Sequence, residues 1–390
     1  MNLQNSVNLK RLFLTFVGVI SLILSLASCS NSSEPTPSIE IIVPTAITAP
    51  ETPSTAAVVS SNESTVAATA VPPPTNLLYQ FPPMPKALEN PLTPQKVELG
   101  RQLFFDPVLS VNNEMSCATC HQPEMGFSDG RPVSEARADI PGRNVSTLWN
   151  SGYNQYLLWD GRETSLESQA QLPLTLDSEM ANDPAELVAR LQAIPAYVDL
   201  FETAFGSGQP LTFEQITAAL SAFQRTLVSE NSAYDRYAAG DATALTEQQK
   251  RGLALFFSDT THCSQCHAPP TFASETFRVI GVDSDDPGRA GVRPEGVYGA
   301  FNVPTLRNIT QTAPYMHDGS FATLPQVVEF YAAGGGRVHD FEYVDPLIKG
   351  FTLSTQEKAD LVAFLGALTD VSGLPEVPET AVSGLPVQYK

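Results

Sequence analysis

Two short motifs of cysteine and histidine are the residues in this sequence best suited to chemistry. The pattern C-x-x-C-H occurs at residues 117–121 and again at residues 263–267. Such a motif attaches a c-type haem, because two thiols add across the haem vinyl groups and the adjacent histidine binds the iron. We therefore predict two covalent haems, held by Cys117, Cys120, His121, Cys263, Cys266 and His267.

Two other uses of paired cysteines remain open from the motifs alone. A thioredoxin-like redox pair would follow a strand and open a βαβ unit, and the sequence shows no such pattern around either motif. A zinc site built from both pairs is conceivable. A histidine directly after each pair, found twice in one chain, favours haem.

The ligand on the far side of each iron decides between an enzyme and an electron carrier. Two strong ligands on both irons would make a carrier, whereas a vacant position on one iron would let peroxide bind. Apart from the two motif histidines, the candidate ligands are His262, His317, His339, the six methionines and the tyrosines.

The segments around the two motifs repeat one another, which indicates two related domains. Thr93 and Thr246 are placed as N-caps of helices that lead to the first and second motif. Each copy closes with an amphipathic helix, opened at residues 211–213 and 353–355. Their apolar faces are formed by Ile216, Leu220, Phe223 and Leu227, and by Leu361, Phe364, Leu365 and Leu368.

We predict a mainly α fold with two cytochrome c-like domains, each binding one covalent c-type haem, and with long loops. The domains are predicted at residues 77–244 and 245–375, followed by a tail at residues 376–390 that is rich in proline and glycine. Loops longer than usual are tolerable here, because a haem supplies much of each core.

The N-terminal residues have the pattern of an export signal. Residues 1–28 combine a short positive region with a mostly apolar run, and the run ends in Leu-Ala-Ser before Cys29, which resembles a lipobox. We predict a lipidated Cys29 and a Ser/Thr/Pro-rich tether over residues 29–76, with the protein anchored by lipid in the periplasm. A plain membrane anchor, or an ordinary signal peptide with an incidental cysteine, is the alternative.

The charge balance bears on possible partners. The formal net charge is −20, and no cluster of lysine and arginine follows residue 11. Nucleic-acid binding is therefore not expected. An acidic surface suits a basic protein partner, although solubility explains it equally well.

From about residue 92 to 366 the sequence resembles the bacterial di-haem cytochrome c peroxidases, and more closely their MauG-like branch. The stretches that carry this resemblance are residues 116–121, 143–148, 159–162, 301–308 and 312–319. The resemblance implies a peroxidase that acts on hydrogen peroxide at the N-terminal haem. It also implies an electron donor, either a small redox protein (cytochrome c or cupredoxin) or a protein side chain that becomes modified.

The first haem site departs from the typical di-haem peroxidases. Those enzymes have a histidine in the loop after the first motif that can cap the iron, whereas residues 122–142 of this chain contain none. The resemblance to the MauG-like branch then implies a sixth position that is already open. Met180 and Met125 are the alternative ligands.

The second haem site departs in its other axial ligand. Typical members place a methionine 14 residues after the histidine of the Pro-Tyr-x-His element, and here that position is Tyr331. The MauG-like branch has tyrosine there. A tyrosinate favours the higher oxidation states of iron. Alternatively, Tyr331 is a core residue and Met316 or His339 is the ligand.

The resemblance also assigns residues around the first site. Gln169, Pro173 and Glu179 match the distal pocket of the MauG-like proteins, where a carboxylate can move the protons of peroxide. The alternative for Glu179 is a surface residue before a buried Met180. Trp159 matches the tryptophan between the two haems, and its alternative is packing between domains.

A calcium ion between the haems is implied as well, with ligands at Asn144, Thr312 and Pro314, the last two through backbone carbonyls. One amide and no carboxylate would make a weak site. Taken together, the expected mechanism has peroxide cleaved with help from Glu179 and oxidising equivalents shared through Trp159. The alternative function is a tethered di-haem electron carrier without turnover.

Overall fold

The computed structural model describes residues 81–134, 142–339, 343–387 and 389. Within these residues the chain is mainly helical, as predicted, with one small sheet. The predicted signal peptide, Cys29, the whole predicted tether and residues 77–80 lie outside the described residues. The helices are α1 (Pro94–Phe105), α2 (Cys117–Cys120), α3 (Leu166–Thr175), α4 (Pro184–Gln192), α5 (Pro195–Phe205), α6 (Phe213–Gln224), α7 (Ala233–Ala238), α8 (Glu247–Phe256), α9 (Leu324–Ala332) and α10 (Thr355–Gly366), and the strands are β1 (Ser274–Arg278) and β2 (Phe301–Val303).

The helix that precedes each motif begins where the sequence predicts. Thr93 caps α1 through its side chain, and Pro94 occupies the first helical position. Thr246 caps α8 as predicted, and with Gln249 it forms a capping box at the start of the helix. Both caps satisfy backbone N–H groups that the first turn of a helix leaves without partners.

The closing helix of each copy is also confirmed. Thr212 and Ser354 cap α6 and α10, each with a capping box. Leu227 and Leu368, predicted on the apolar faces, lie just beyond the ends of these helices and are buried all the same. The two apolar faces therefore extend past the last helical turn.

Two hydrophobic cores follow the two copies. The first is built from α1, α3, α4, α5 and α6, and the second from α7, α8, α9 and α10. The second core includes Tyr234, which precedes the predicted domain boundary after residue 244. Strands β1 and β2 pair antiparallel beside the second core, with Arg278 opposite Phe301.

The C-terminal tail packs against the first core, although it follows the second domain in the chain. Ser383 donates two hydrogen bonds to the buried Asp106 carboxylate, at 2.9 Å from its N and 2.6 Å from its Oγ. The hydroxyl of Tyr197 donates a third at 2.6 Å. The tail residues that lie against the first core are Val377, Val382, Leu385, Val387 and Tyr389.

No helix within the described ranges is both long enough and apolar enough to span a bilayer.

In both domains the helix before the motif crosses the closing helix at a glycine. Gly100 of α1 faces the backbone of Ala219 in α6, and Gly252 of α8 faces the backbone of Asp360 in α10. A Cβ at Gly100 would lie 2.9 Å from Phe223 Cβ and closer still to the Ala219 carbonyl. Only glycine allows the two helices to approach so closely.

Gly100→Ala is expected to lower the free energy of unfolding by about 1–3 kcal/mol, the usual cost of forcing a carbon into a packed core. Denaturant unfolding of the haem-loaded protein, followed by circular dichroism, measures this change. Gly366→Ala is the control, because a Cβ there meets only Thr310 Cγ2, at 3.9 Å. The control should leave the free energy of unfolding unchanged or raise it by up to about 1 kcal/mol. If Gly100→Ala has the same free energy of unfolding as the wild type, the close crossing of the two helices is contradicted.

Candidate functional site

The histidine of the first motif is held in one orientation by the loop that follows it. His121 comes directly after α2, and its Nδ1–H donates to the carbonyl of Phe127 at 3.0 Å. Burial lowers the pKa of His121, so the imidazole is neutral, as a metal ligand must be. With Nδ1 engaged by a backbone carbonyl, Nε2 is the nitrogen available to bind a metal.

The second motif repeats this arrangement. His267 places Nδ1 3.0 Å from the carbonyl of Phe272 and 3.1 Å from that of Pro304, which follows β2. Burial lowers the pKa of His267 as well. Both histidines therefore have the tautomer and the fixed ring that proximal iron ligands require.

The cysteines of the two motifs fit covalent haem attachment and fit the alternatives poorly. All four thiols are free of disulfides. Burial raises the pKa of Cys117 to about 12 and of Cys120 to about 11, whereas a thioredoxin-like pair needs a lowered thiol pKa. The described part of the chain contains no group of three or more His, Cys, Asp or Glu side chains that could hold a metal ion, so the two pairs do not meet in a zinc site.

The three predicted distal residues lie together on α3 and in the turn after it. Gln169 and Pro173 belong to α3, and the Met180 N–H donates to the Pro173 carbonyl at 3.0 Å, which folds the turn back onto the helix. Glu179 lies in this turn and is partly buried. Its charge adds to burial in raising the pKa of both thiols of the first motif. The carboxylate therefore lies within electrostatic reach of the thiols at which the first haem is predicted to attach.

The two methionines considered as alternative ligands have packing roles. Met180 is 3% exposed and belongs to the first hydrophobic core. The methyl group of Met125 lies against Gly130, in the loop after the first motif. Both thioether side chains are therefore engaged in packing.

Tyr331 lies in the last turn of α9 and faces the second motif. Burial raises the pKa of Tyr331 well above its usual range, and the thiols of Cys263 and Cys266 add to the shift. Tyr331 also lines a small cleft with residues 260–262, which lead directly into the second motif. The side chain of His339, one alternative ligand, lies outside the described residues.

Trp159 lies where the two predicted domains meet. The hydrogen bond of its indole N–H connects it to the segment that holds the first motif histidine. The indole Nε1–H donates to the carbonyl of Asn144 at 2.9 Å. Next to it in the chain, the carbonyl of Val145 accepts from Ser128 Oγ at 3.2 Å. Ser128 follows Phe127, whose carbonyl holds the first histidine.

On its other side Trp159 is bonded to the strand that leads to the second histidine. The N–H of Asn302 in β2 donates to the Trp159 carbonyl at 2.8 Å. Two residues further along is Pro304, whose carbonyl contacts Nδ1 of His267. A continuous series of covalent and hydrogen bonds therefore joins the two motif histidines through Trp159.

Two rings of the second domain pack beside the indole. The ring centroids of Phe301 and His317 lie 6.5 Å and 6.4 Å from that of Trp159, each edge to face. The two rings stack on one another at 3.8 Å. His317 is 4% exposed, and its Nε2 has no hydrogen-bond partner in the described residues.

A buried cluster of charges lies beside these rings, and it has no counterpart in the sequence prediction. Arg143 donates from Nε and Nη2 to the carboxylate of Asp286, at 2.6 and 2.8 Å, and from Nη1 to Asp160 at 2.6 Å. Arg162 also pairs with Asp160. The two carboxylates are 0% and 1% exposed at the side chain. Burial opposes their ionisation, but the arginine hydrogen bonds outweigh it and lower the pKa of both Asp160 and Asp286.

The residues predicted to bind calcium lie at the same interdomain region. Asn144 donates from Nδ2 to the carbonyl of Arg131 at 2.9 Å, which leaves Oδ1 as the side-chain atom for a cation. Thr312 packs its methyl group against Gly126, in the loop after the first motif. Pro314 follows a cis peptide bond in the next turn. The oxygen donors available are those that calcium prefers.

Comparisons with known proteins agree with this geometry. The family model described as di-haem cytochrome c peroxidase matches residues 94–243. Among curated relatives, the methylamine utilization protein MauG of Methylorubrum extorquens is 42% identical over 305 residues, covering 76% of this chain and 84% of that protein. The cytochrome c551 peroxidase of Pseudomonas aeruginosa is 33% identical over 314 residues, covering 76% of this chain and 86% of that protein.

A solved structure of similar sequence shares the fold. The crystal structure of a MauG-like protein associated with microbial copper homeostasis superposes with a TM-score of 0.69 at 36% identity. The match covers 76% of this chain and 95% of that one. Sequence and tertiary structure therefore point to the same group of proteins.

Proposed function

This chain belongs to the di-haem cytochrome c peroxidase family and is therefore an oxidoreductase with two haem cofactors, and on that premise we propose that it reduces hydrogen peroxide at the site of Cys117, Cys120 and His121. At the second motif, His267 and Tyr331 would hold the iron of the second haem, and that site would take up electrons from an external donor. One observation carries this division of labour. The Glu179 carboxylate lies within electrostatic reach of the thiols of the first motif, whereas the buried Tyr331 hydroxyl lies within reach of the thiols of the second.

A haem at each motif, when bound, supplies an iron that can take up the oxidising equivalents of peroxide. The chain supplies the proton chemistry. Reduction of hydrogen peroxide to two waters consumes two protons and two electrons. The Glu179 carboxylate accepts the proton of one peroxide oxygen and returns it to the other, which leaves as water. The amide of Gln169 orients the peroxide by hydrogen bonding, and Pro173 presents an apolar surface to it.

Trp159 is the proposed link between the two sites. Its indole N–H is bonded to the segment beside the first histidine, and its carbonyl is bonded to the strand that ends at the second. Aromatic neighbours from the second domain pack on the ring. These contacts support transfer of electrons through Trp159 in addition to its packing role.

The remaining assignments follow the same reasoning. A calcium ion between the sites would take Oδ1 of Asn144 and the carbonyls of Thr312 and Pro314, and its removal would loosen the interdomain contact. We propose domain limits of 77–244 and 245–375. Tyr234, which precedes the second domain in the chain, already packs with the second core. Export, lipidation at Cys29 and a periplasmic location are likewise proposed from the sequence.

The electron donor is proposed to be a small redox protein, cytochrome c or cupredoxin, whose basic surface would complement a net charge of −20. A protein side chain that becomes modified is the other source of electrons. Steady-state peroxide consumption with a panel of reduced donors distinguishes the two, since only the redox protein would support many turnovers.

The ferric electron paramagnetic resonance spectrum tests the open site. We expect one high-spin signal that changes when peroxide is added, because His121 is the one side chain proposed to hold the iron of the first haem. Met180→Leu is the matched control, and it should leave the high-spin signal in place because the thioether is packed in the core. Two low-spin signals that persist in peroxide would identify an electron carrier instead.

A further inference from the structure

The buried charge cluster joins the two domains through a single side chain. Arg143 comes from the first domain and binds Asp286 of the second with two parallel hydrogen bonds, while its remaining Nη1 binds Asp160. The Arg143 side chain is 9% exposed. Removing one partner of such a buried ion pair would leave an uncompensated charge, which is strongly unfavourable.

The same arginine controls the surroundings of Trp159. The next residue, Asn144, accepts the indole N–H through its carbonyl and donates its own N–H to the carbonyl of His317 at 2.7 Å. The Arg143 guanidinium lies 5.7 Å from the centre of the Phe301 ring, which stacks on His317. Arg143 is therefore connected to the hydrogen-bond acceptor of the indole through a peptide bond, and to the rings packed on the indole through its contact with Phe301.

The geometry requires arginine at this position. The guanidinium is planar and offers five donors in a fixed fork, which allows it to bind one carboxylate at two points and a second carboxylate at a third. A lysine would keep the positive charge but has a single ammonium group on a flexible stem. It cannot hold Asp160 and Asp286 at the observed spacing.

We propose that Arg143 is a positioning residue for electron exchange between the two haem sites. It fixes the Trp159 indole at the interdomain boundary by clamping Asp160 and Asp286 together and by anchoring the adjacent Asn144. This inference rests on the proposed function in one respect, the assignment of Trp159 as the link between the sites.

Arg143→Lys in the haem-loaded full chain tests the inference. One electron is delivered by pulse radiolysis, and its redistribution between the two haems is followed by their absorption spectra. The rate is expected to fall about tenfold or more, since a misplacement of roughly 1 Å can cost about 100-fold in systems that depend on orientation. An unchanged rate would overturn the proposal.

Two further variants separate the possible outcomes. Arg225→Lys is matched, because Arg225 also has a 9% exposed side chain and binds Glu167 at two points, 2.7 and 2.9 Å. It should destabilise the fold without changing the rate, and an equal slowing in both lysine variants would refute a specific role for Arg143. Trp159→Phe tests the link itself. If that variant transfers electrons as fast as wild type, the link is wrong and the inference with it.

A second readout does not depend on electron transfer. Ultraviolet resonance Raman spectra report the hydrogen bond of the indole N–H, and the chain has only two tryptophans. Arg143→Lys should weaken the Trp159 signal of this bond, whereas Arg225→Lys should not. Should Arg143→Lys fail to fold, Asp286→Asn keeps the side-chain volume, removes one acceptor charge and is expected to shift both readouts in the same direction. Unchanged readouts in that variant would contradict the proposal.

Discussion

Glu179→Gln is expected to lower kcat/KM for hydrogen peroxide by about 10²–10⁴-fold, the usual contribution of a positioned acid–base group. The amide keeps the size of the side chain but cannot accept a proton from one peroxide oxygen and return it to the other. Glu179 lies in the turn after α3, where its charge acts on both thiols of the first motif. Stopped-flow reaction with peroxide measures the change, at equal haem content.

The control for this experiment is Glu186→Gln. Glu186 lies in the first turn of α4, a few residues beyond the candidate pocket, and is exposed to solvent. It should react with peroxide at the wild-type rate. If Glu179→Gln also reacts at the wild-type rate with both haems in place, Glu179 is a surface residue and the proton must move by another route.

Tyr331→Met is expected to raise the reduction potential of one haem by on the order of hundreds of millivolts, within the ~0.8 V range that axial ligands span. A phenolate oxygen stabilises the ferric iron, whereas a thioether stabilises the ferrous iron. The burial of Tyr331 against the thiols of the second motif places it to act on that haem. Spectroscopic redox titration measures both potentials, and the first should stay unchanged.

Tyr315→Phe provides the comparison, since Tyr315 is a buried tyrosine in the core of the same domain. Its loss should leave both potentials and both spectra unaltered. Wild-type potentials in Tyr331→Met would show that Tyr331 is a packing residue and that another side chain binds the second iron.

The local features of the fold were predictable because they depend on neighbouring residues. Thr93 and Thr246 are predicted as helix caps from their own type and from the pattern that follows, and each caps a helix in the structure. The closing helices are predicted to open at residues 211–213 and 353–355, where Thr212 and Ser354 cap them. The haem motifs were recognised for the same reason, since two thiols and a histidine within five residues define the attachment chemistry. The mainly helical class with two related copies followed from this repetition.

The resemblance to a known family supplied residues that local pattern could not. Glu179 and Tyr331 carry no sequence signal of their own, because a glutamate in a turn and a tyrosine on an amphipathic helix are ordinary. The structure brings each of them near the thiols of one motif. Their roles remain predictions, which the experiments above address.

The tail and the charge cluster could not be anticipated. Residues 376–390 have the composition of a surface segment, yet Ser383 reaches back to Asp106 in the first domain. Asp286 stands in a polar loop far from Arg143 in the chain, and nothing in either neighbourhood indicates that the two are bonded. Such pairs arise only when distant segments are folded against each other.

The amino-acid sequence by itself determined the attachment of two haems, the helix caps and the helical class, because each of these depends on side chains within one or two helical turns. The tertiary structure alone decided what surrounds Trp159. Trp159 is held through its indole N–H by Asn144 from one domain and through its backbone carbonyl by Asn302 from the other. Arg143 bridges carboxylates 126 residues apart in the chain, at 160 and 286. Hydrogen bonds and buried ion pairs act over about 3 Å, so contacts between distant segments exist only once the whole chain has brought them together.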